Sequence, residues 1–299
     1  MDFNCHNHTE ASDGEMSLSE LTRRLADFGF TGAAITDHNA FGYDTRNPLH
    51  LQCAKKCRKD YGVELYSGME ISCEDSFEEW GGPKEKEVHV GAIFLDSRNR
   101  KIQRMVKEQQ QSRAVRAELM IGKIKGRGWN IISFDEMTDM YPNITLMHIA
   151  RHVTDQKGNS VDAKEFLENH FLQGGDCYAP KNLVPVQEAI ELIVEAGAIP
   201  VFNHPLTTLG FDLFESSFEL AADRYVAMGL QAIEGYTKKI PPAWSRWIMK
   251  YDLDHGLRTF GGSDTHKSKD PTIYVRNVLD IIYGTSKNAS FRQRLERQG

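Results

Sequence analysis

Seven short apolar or β-branched runs punctuate this chain: Met1 to Cys5, Gly32 to Thr36, Val63 to Met69, Val88 to Leu95, Ala198 to Phe202, Gln231 to Glu234 and Arg258 to Gly262. Most are followed by a stretch of helical periodicity, and such alternation predicts parallel strands joined by crossover helices. The first helix is signalled by Ser17 and Glu20 at capping-box spacing, after which Leu18, Leu21, Leu25 and Phe28 repeat at helical intervals up to Gly29. Another opens at Pro185 and closes at Gly197, with Ile190, Ile193 and Val194 along one side. At 299 residues the chain can bury a large core, as one barrel-type domain or as a core domain carrying an insertion.

The pattern changes between about Ser97 and Asn182, where strand signals fade and the Arg/Lys/Gln-rich stretch Arg98 to Lys125 begins a charged helical segment. The expected division is residues 1–97 as the first part of a barrel, 98–185 as a helical insertion or cap, and 186–299 as the second part. Asn277 to Tyr283 reads as a final strand and Ser286 to Arg297 as a polar terminal helix. A formal charge of -6, from 36 Lys+Arg and 42 Asp+Glu, argues against wrapping long nucleic acid through a broad basic surface. It leaves room for a small anion wherever local charge is positive. No run of about 18 apolar residues occurs, and no basic start precedes an apolar core, so no membrane partner is expected and the chain reads as soluble and cytoplasmic. The five cysteines, an odd number without a C-x-x-C pair, fit a reducing compartment, with Cys53 and Cys57 as two thiols on one helical face.

Chemistry is written in the polar residues that end the strands. Seven of the 11 histidines fall at or just beyond a strand end or inside a compact polar motif. In a parallel α/β barrel the C-terminal strand ends converge on one mouth. Read in order, those ends deliver His6 and His8, Asp37 and His38, Glu70, His89, His204, and lastly Asp264 and His266. His6 and His8, two apart on an extended chain, point to the same side and can share an ion, with Asp13 following on the loop. Gly261 and Gly262 permit close approach of backbone to whatever Asp264 binds. So many polar groups packed into one barrel mouth lack compensation for their desolvation unless cations supply it.

These motifs resemble the PHP family, the polymerase and histidinol phosphatase superfamily, and the resemblance covers about residues 1–97 and 186–270. It implies a distorted seven-stranded (β/α) barrel with a helical insertion. It is closest in kind to stand-alone phosphatases that act on nucleotides, whose insertion carries an Arg/His segment. Met147-His148-Ile149-Ala150-Arg151-His152 is similar to that segment, although Leu146 and Met147 stand where an Arg-Pro pair is common. The resemblance implies that His6, His8, Glu70 and Asp264 bind one ion. Glu70 bridges to a second ion held by His89 and His204, and Asp13, His38 and His266 take a third, Asp13 standing where many relatives have histidine. The cofactors expected are thus two or three divalent ions, Zn, Mn or Fe, because mixed imidazole and carboxylate donors disfavour an all-oxygen magnesium site. Asp37 is expected to orient His38 or a neighbouring ligand from behind.

The function implied is a metal-dependent phosphoesterase that hydrolyses a nucleotide's phosphate monoester through a metal-activated water. A 3′,5′-nucleoside bisphosphate giving the 5′-monophosphate plus phosphate is the favoured substrate. Asp13 and His266 are candidates to protonate the leaving oxygen, and His148, Arg151 and Lys181 to hold the substrate. Trp129 and Tyr141 are candidates to stack on a base. Rival readings are a 5′-3′ exonuclease on short RNA or DNA, a histidinol-phosphate-type phosphatase, and a metal-binding module without activity. A barrel of the amidohydrolase type would want lysine on the fourth strand, where this sequence has His89.

Overall fold

The structure, a computed structural model, describes residues 3–141, 144–155, 162–172, 174–237 and 240–267. The strand expected at 277–283 and the helix at 286–297 lie outside the described residues.

The elements run β1 (Phe3–Asn4), α1 (Leu18–Asp27), β2 (Gly32–Ile35), α2 (Pro48–Tyr61), β3 (Glu64–Asp75), β4 (Lys86–Ile93), α3 (Arg100–Gly126), α4 (Phe134–Met140), α5 (Leu146–Thr154) and α6 (Ala163–His170). There follow β5 (Val184–Pro185), α7 (Val186–Glu195), β6 (Ile199–Phe202), α8 (Pro205–Leu209), α9 (Phe211–Ala227), β7 (Ala232–Tyr236), α10 (Pro242–Asp254) and β8 (Arg258–Gly261). Each of the seven predicted runs overlaps a strand of the sheet, whose order is β1-β2-β3-β4-β6-β7-β8, with the two-residue β5 added beside β3. The sheet curls until its edges meet, since Cys5 N–H donates to Gly261 O (3.2 Å) and His8 N–H to Thr265 O (3.0 Å). One buried cluster takes Phe3, Ala34, Tyr66, Ile93, Val201, Ala232 and Phe260 from all seven strands, as only the interior of a nearly closed sheet can.

One expectation is overturned. β4 runs antiparallel to both of its neighbours, β3 and β6. Residues 76–85 are too few for a crossover helix, which needs a dozen or more, so the chain returns as a hairpin. As a result His89 reaches the mouth from the first half of β4 rather than from its end, and Glu70 lies in the middle of β3.

The helices form where the sequence signals them. In α1 the Ser17–Glu20 capping box closes in both directions, and Leu18, Leu21 and Leu25 are buried against Phe30, Ile35 and Leu65. Each such large side chain contributes roughly 1.5–3 kcal/mol on burial. The middle region holds α3, α4, α5 and α6. Ile102, Met105 and Val106 of α3 pack into the barrel's outer core, whereas Ala117, Met120, Ile121 and Ile124 join a second core with Ile149, Phe166 and Phe171. One helix is thereby anchored in the barrel and supports the insertion. No helix among the described residues is long and apolar enough to cross a membrane.

Candidate metal centre

Backbone hydrogen bonds between neighbouring loops bring the polar strand ends together. Beyond β1, the His6–His8 segment is clamped on one side by Asp264 N–H donating to His6 O (3.1 Å) and on the other by Thr36 N–H donating to Asn7 O (2.9 Å). The two imidazoles face the same way, their Nε2 atoms 3.0 Å apart. Glu70 occupies the middle. Its Oε2 lies 3.2 Å from His6 Nε2, 3.3 Å from His8 Nε2 and 3.1 Å from His38 Nδ1. Its Oε1 lies 3.2 Å from His89 Nδ1 and 3.0 Å from His204 Nε2. Asp264 Oδ1 is 3.5 Å from His8 Nε2 and 3.4 Å from His266 Nδ1, while Asp13 Oδ1 is 3.4 Å from His266 Nε2 and Asp13 Oδ2 is 3.9 Å from His38 Nε2. The nine side chains singled out as ligands from the sequence are therefore neighbours in space.

The electrostatics follow from that crowding. Burial opposes ionisation of Glu70, yet His6, His38 and His89 hold it well below the usual carboxylate range. Asp13 is likewise held low against burial by His38, His266 and His8. Burial works against protonation of His6, but Glu70 and Glu234 outweigh it and raise its pKa well above the ordinary value. The pKa values of His89 and His266 are pushed up to about 9, against burial, by Glu70 and Asp13 respectively. His38 goes the other way, burial pulling it well below the ordinary imidazole value despite Glu70 and Asp13.

The donor set fits divalent cations. Glu70 Oε2 is sealed from solvent beside three ring nitrogens and accepts no well-directed hydrogen bond, and His8 Nδ1 and His204 Nδ1 also lack one. An unsatisfied buried polar atom costs about 1–3 kcal/mol, which a cation accepting its lone pair removes. Three overlapping donor groups have their atoms within 4.8 Å of one another: His8, Asp13, His38 and His266; His6, His8 and Glu70; and His38, Glu70 and His89. Two of the clustered residues also sit on strained backbone, His204 at φ 29 and Asp264 at φ 47, a region side chains rarely adopt and one that tends to mark functional positions.

Supporting residues missed by sequence reasoning surround the cluster. Glu234, fully buried on β7, places Oε1 3.1 Å from His6 Nδ1 and accepts the His204 N–H at Oε2 (2.7 Å). Asn203 donates to Glu70 Oε1 (2.9 Å), in space left by Gly91, where a Cβ would collide with the amide. Asp37, which the sequence did single out to orient His38 or a neighbouring ligand, ties down the loop leading to Asp13, accepting from Thr9 N (2.8 Å), Thr9 Oγ1 (2.8 Å) and Ser12 Oγ (2.6 Å). Burial raises its pKa even so. The available signal was a charged residue inside an apolar strand, as in Ala232-Ile233-Glu234.

A cavity of about 450 Å³ opens beside the cluster, with Asp13, His38 and His89 among its lining residues. Arg113 and Arg116 of α3 and Lys181 also line it, and Leu146, Met147, Ile149 and Phe171 form an apolar wall. Of the predicted substrate contacts, Lys181 faces this cavity and pairs with Glu87, which also accepts from His89 Nε2 (3.0 Å). The structure does not bring His148 and Arg151 to the cavity lining. His148 Nδ1 accepts the Thr145 N–H (3.2 Å) and the ring stacks on Tyr141 (4.0 Å), while Arg151 pairs with Glu15 (2.7 Å). Trp129 packs edge-on against Phe166 at 5.2 Å, within the insertion's core.

The sequence profile of the PHP domain matches residues 4–180. The chain belongs to the PHP domain family. Among relatives of this PHP chain, a Haemophilus influenzae protein named 5′-3′ exoribonuclease is 26% identical over 88% of this chain and 89% of its own length. A Chromobacterium violaceum protein named 3′,5′-nucleoside bisphosphate phosphatase is 25% identical over 87% of this chain and 86% of its own. The fold is shared with a Bifidobacterium adolescentis protein provisionally described as a metal-dependent phosphoesterase (TM-score 0.72, 21% identity, covering 93% of this chain and 96% of that one).

Proposed function

We propose that this PHP chain, a metal-dependent hydrolase of phosphoric esters, releases phosphate from a nucleotide, with a 3′,5′-nucleoside bisphosphate as the preferred substrate and the 5′-monophosphate as product. The observation that carries the reading is a single cavity where a metal-competent cluster, three cations and an apolar wall meet. The name of the Chromobacterium violaceum relative supports it.

In this reading His6, His8, Glu70 and Asp264 hold one ion, Glu70, His89 and His204 a second, and Asp13, His38 and His266 a third. When bound, such ions neutralise charge on the phosphoryl oxygens and lower the pKa of water toward ~7. The chain's own side chains bind and orient. Arg113 is fixed by donation to His38 O (3.2 Å) and Arg116 by donation to Ala179 O (2.8 Å), so both guanidinium groups are pre-set for phosphate oxygens. Lys181, held by Glu87, adds a third positive charge. Leu146, Met147 and Phe171 exclude water and cover the nucleoside. With the third ion absent, His266, whose pKa is lifted to about 9, holds a proton beside Asp13 and this pair delivers it to the departing oxygen; as ligands of that ion the two would give it their lone pairs and carry no such proton. His148 and Arg151 act by fixing α5, whose first turn supplies the apolar wall.

The test is phosphate release from nucleoside bisphosphates, monophosphates and histidinol phosphate with added Zn, Mn or Fe, alongside metal analysis. At least two ions per chain are expected. Glu70→Ala and Asp264→Ala should each lower turnover by roughly 10²-fold or more without unfolding, since several kcal/mol of charge stabilisation are lost. Wild-type rates in either variant would overturn the assignment. A second reading, 5′-3′ hydrolysis of short RNA, is favoured by the Haemophilus influenzae relative's name, and the same assay with a 5′-phosphorylated oligonucleotide separates the two.

A further inference from the structure

The two edges of the barrel meet just beyond β1 and β8, and a second set of polar side chains is buried at that seam. Along the two segments His6, His8, Asp264 and His266 alternate with Asn7, Ser263 and Thr265, and these three, together with Asn4, are buried. Asn4 bridges the edges. Its Oδ1 accepts the backbone N–H of His6 on its own segment (3.3 Å) and that of Ser263 on the other (3.2 Å), while its Nδ2 donates to Ser263 Oγ (2.7 Å). A backbone N–H can only donate, so a single orientation of this amide satisfies all three contacts. The Ser263 hydroxyl, having accepted from Asn4, donates to Asn7 Oδ1 (3.4 Å), with the Thr265 hydroxyl beside it. Asn7 Nδ2 then donates to Asn4 O (3.2 Å) and to Ala34 O on β2 (2.9 Å), which closes a ring of donors that all point the same way round.

We propose that Asn4 is a positioning residue that sets the register of this seam and thereby places Asp264 against His6 and His8. The proposal rests on the metal-centre reading above and adds to it residues that touch no ion. Backbone bonds also cross the seam, from Cys5 N–H to Gly261 O (3.2 Å), Asp264 N–H to His6 O (3.1 Å) and His8 N–H to Thr265 O (3.0 Å). Bonds of that kind form equally well in a slipped pairing, and a slip of one residue turns a segment's side chains to the opposite face. Asn7 would then be aimed at the carboxylates in place of the two imidazoles. A buried ring of directional donors and acceptors does not survive such a slip, which is how buried polar groups fix register in other assemblies. Asp264 carries the same information in its backbone. Its φ of 47 is a conformation that persists only where the surroundings overdetermine it. Here Ser263 is held by Asn4 at both its N–H and its hydroxyl, and Thr265 O accepts the His8 N–H, so the chain is pinned on each side of the strained residue.

The experiment measures Zn(II) affinity, Tm and amide hydrogen exchange in Asn4→Ala, Ser263→Ala and the double variant, with Leu25→Ala as a control that loosens the remote core under α1. Affinity is read by titrating chelator-treated protein against a chromogenic chelator. Each single seam variant should lose roughly 10–100-fold, the range seen when a residue supporting a metal ligand is removed. Because the two residues act through one contact, the double variant should lose about as much as the worse single variant, whereas independent damage would add. Leu25→Ala should lower Tm and keep the wild-type affinity. In metal-free protein the His8 and Asp264 amides, whose bonds cross the seam without involving Asn4, should exchange roughly tenfold or more faster in Asn4→Ala, with the amides of β6 and β7 unchanged. The proposal is overturned if Asn4→Ala binds Zn(II) as the wild type does, if the losses add in the double variant, or if Leu25→Ala loses the ion as strongly. Unchanged exchange at His8 and Asp264 overturns it as well. A wild-type protein that binds no divalent ion removes the metal-centre reading instead, and the exchange measurement then decides the role of Asn4 at the seam on its own.

Discussion

Glu234 is the residue whose alteration tests the cluster most sharply, because it is fully buried behind the clustered side chains and acts on them through two hydrogen bonds. His6 presents Nε2 to Glu70 and His8, so for that atom to donate its lone pair to a cation the ring must carry its proton on Nδ1. Glu234 Oε1, 3.1 Å from Nδ1, fixes that tautomer, and Oε2 satisfies the buried His204 N–H at 2.7 Å. Glu234→Gln keeps the volume and an oxygen for His204 but aims an NH2 at a nitrogen that also donates. The ring must then rotate or move its proton to Nε2, where a ligand is wanted. Loss of such a supporting hydrogen bond costs about 10–100-fold in metal affinity, or about 1.4–2.7 kcal/mol. The same loss appears in stability, since metal binding adds RT ln(1 + [L]/Kd) to the folded state. The metal-induced rise in Tm should shrink by roughly 2–4 °C for each kcal/mol lost. Competition against a chromogenic chelator measures the affinity, and melting with and without EDTA separates metal loss from damage to the fold. Unchanged affinity, or a Tm in EDTA that drops as far as the Tm in metal, refutes the tautomer argument.

Gly262→Ala should strip metal as Glu234→Gln does, because a Cβ there would overlap both Glu234 Oε1 and the Cβ of His6; elemental analysis of the purified variant checks this. Lys181→Met should raise KM for nucleotide substrates roughly 10–100-fold with little change in kcat, the range of about 1.5–3 kcal/mol for a hydrogen bond to a charged group; steady-state kinetics decide it. Asp252 gives a pH signature away from the cluster: burial pushes its pKa up to about 8, partly offset by the Thr259 hydroxyl. The folded state then keeps a proton that the unfolded chain releases near pH ~4, so this group's stabilising contribution is full below that pH and declines by about 1.4 kcal/mol per pH unit up to about pH 8. Asp252→Asn should remove that decline, gaining on the wild type at pH 9 relative to pH 5 in urea titrations with EDTA, and parallel pH profiles would contradict it.

The residues that cluster were legible because their signals are local. His6 and His8 are two apart on an extended segment, Asp264 and His266 follow a strand, and period-two geometry alone aims each pair to one side. The reversal of β4 was not legible, because residues 70–87 between the two runs read as strands are enough for a crossover, and only the extension of β3 to Asp75 and the start of β4 at Lys86 shorten the gap to ten. Composition gives no hint of it, since Val88 to Ile93 is equally apolar in either direction. Glu234 and Asn203 escaped notice because their importance lies in partners far off in sequence: His6 is 228 residues from Glu234, and Glu70 is 133 from Asn203. His148 shows the opposite failure. Thr145 and His148 have the spacing of a helix-capping pair, and the structure uses them as one, so a residue rich in chemistry is engaged in starting α5.

The antiparallel course of β4 has a consequence for the site beyond topology. A crossover helix would have ended β3 near Glu70, where the barrel wall ends. The hairpin instead extends β3 to Asp75 and starts β4 at Lys86, so two paired strands project past the mouth. Cys73 and Glu74 on that projection pair with Val184 and Pro185, and this short β5 brings the end of the insertion, with Lys181, against Glu87. Glu87 in turn accepts a hydrogen bond from His89 Nε2, leaving Nδ1 facing Glu70. The strand reversal therefore connects the cluster to the insertion through three consecutive polar contacts: Glu70 to His89, His89 to Glu87, and Glu87 to Lys181. In the proposed reading, a substrate phosphate gripped by Lys181 would by that route be registered to the same carboxylate that organises the five imidazoles.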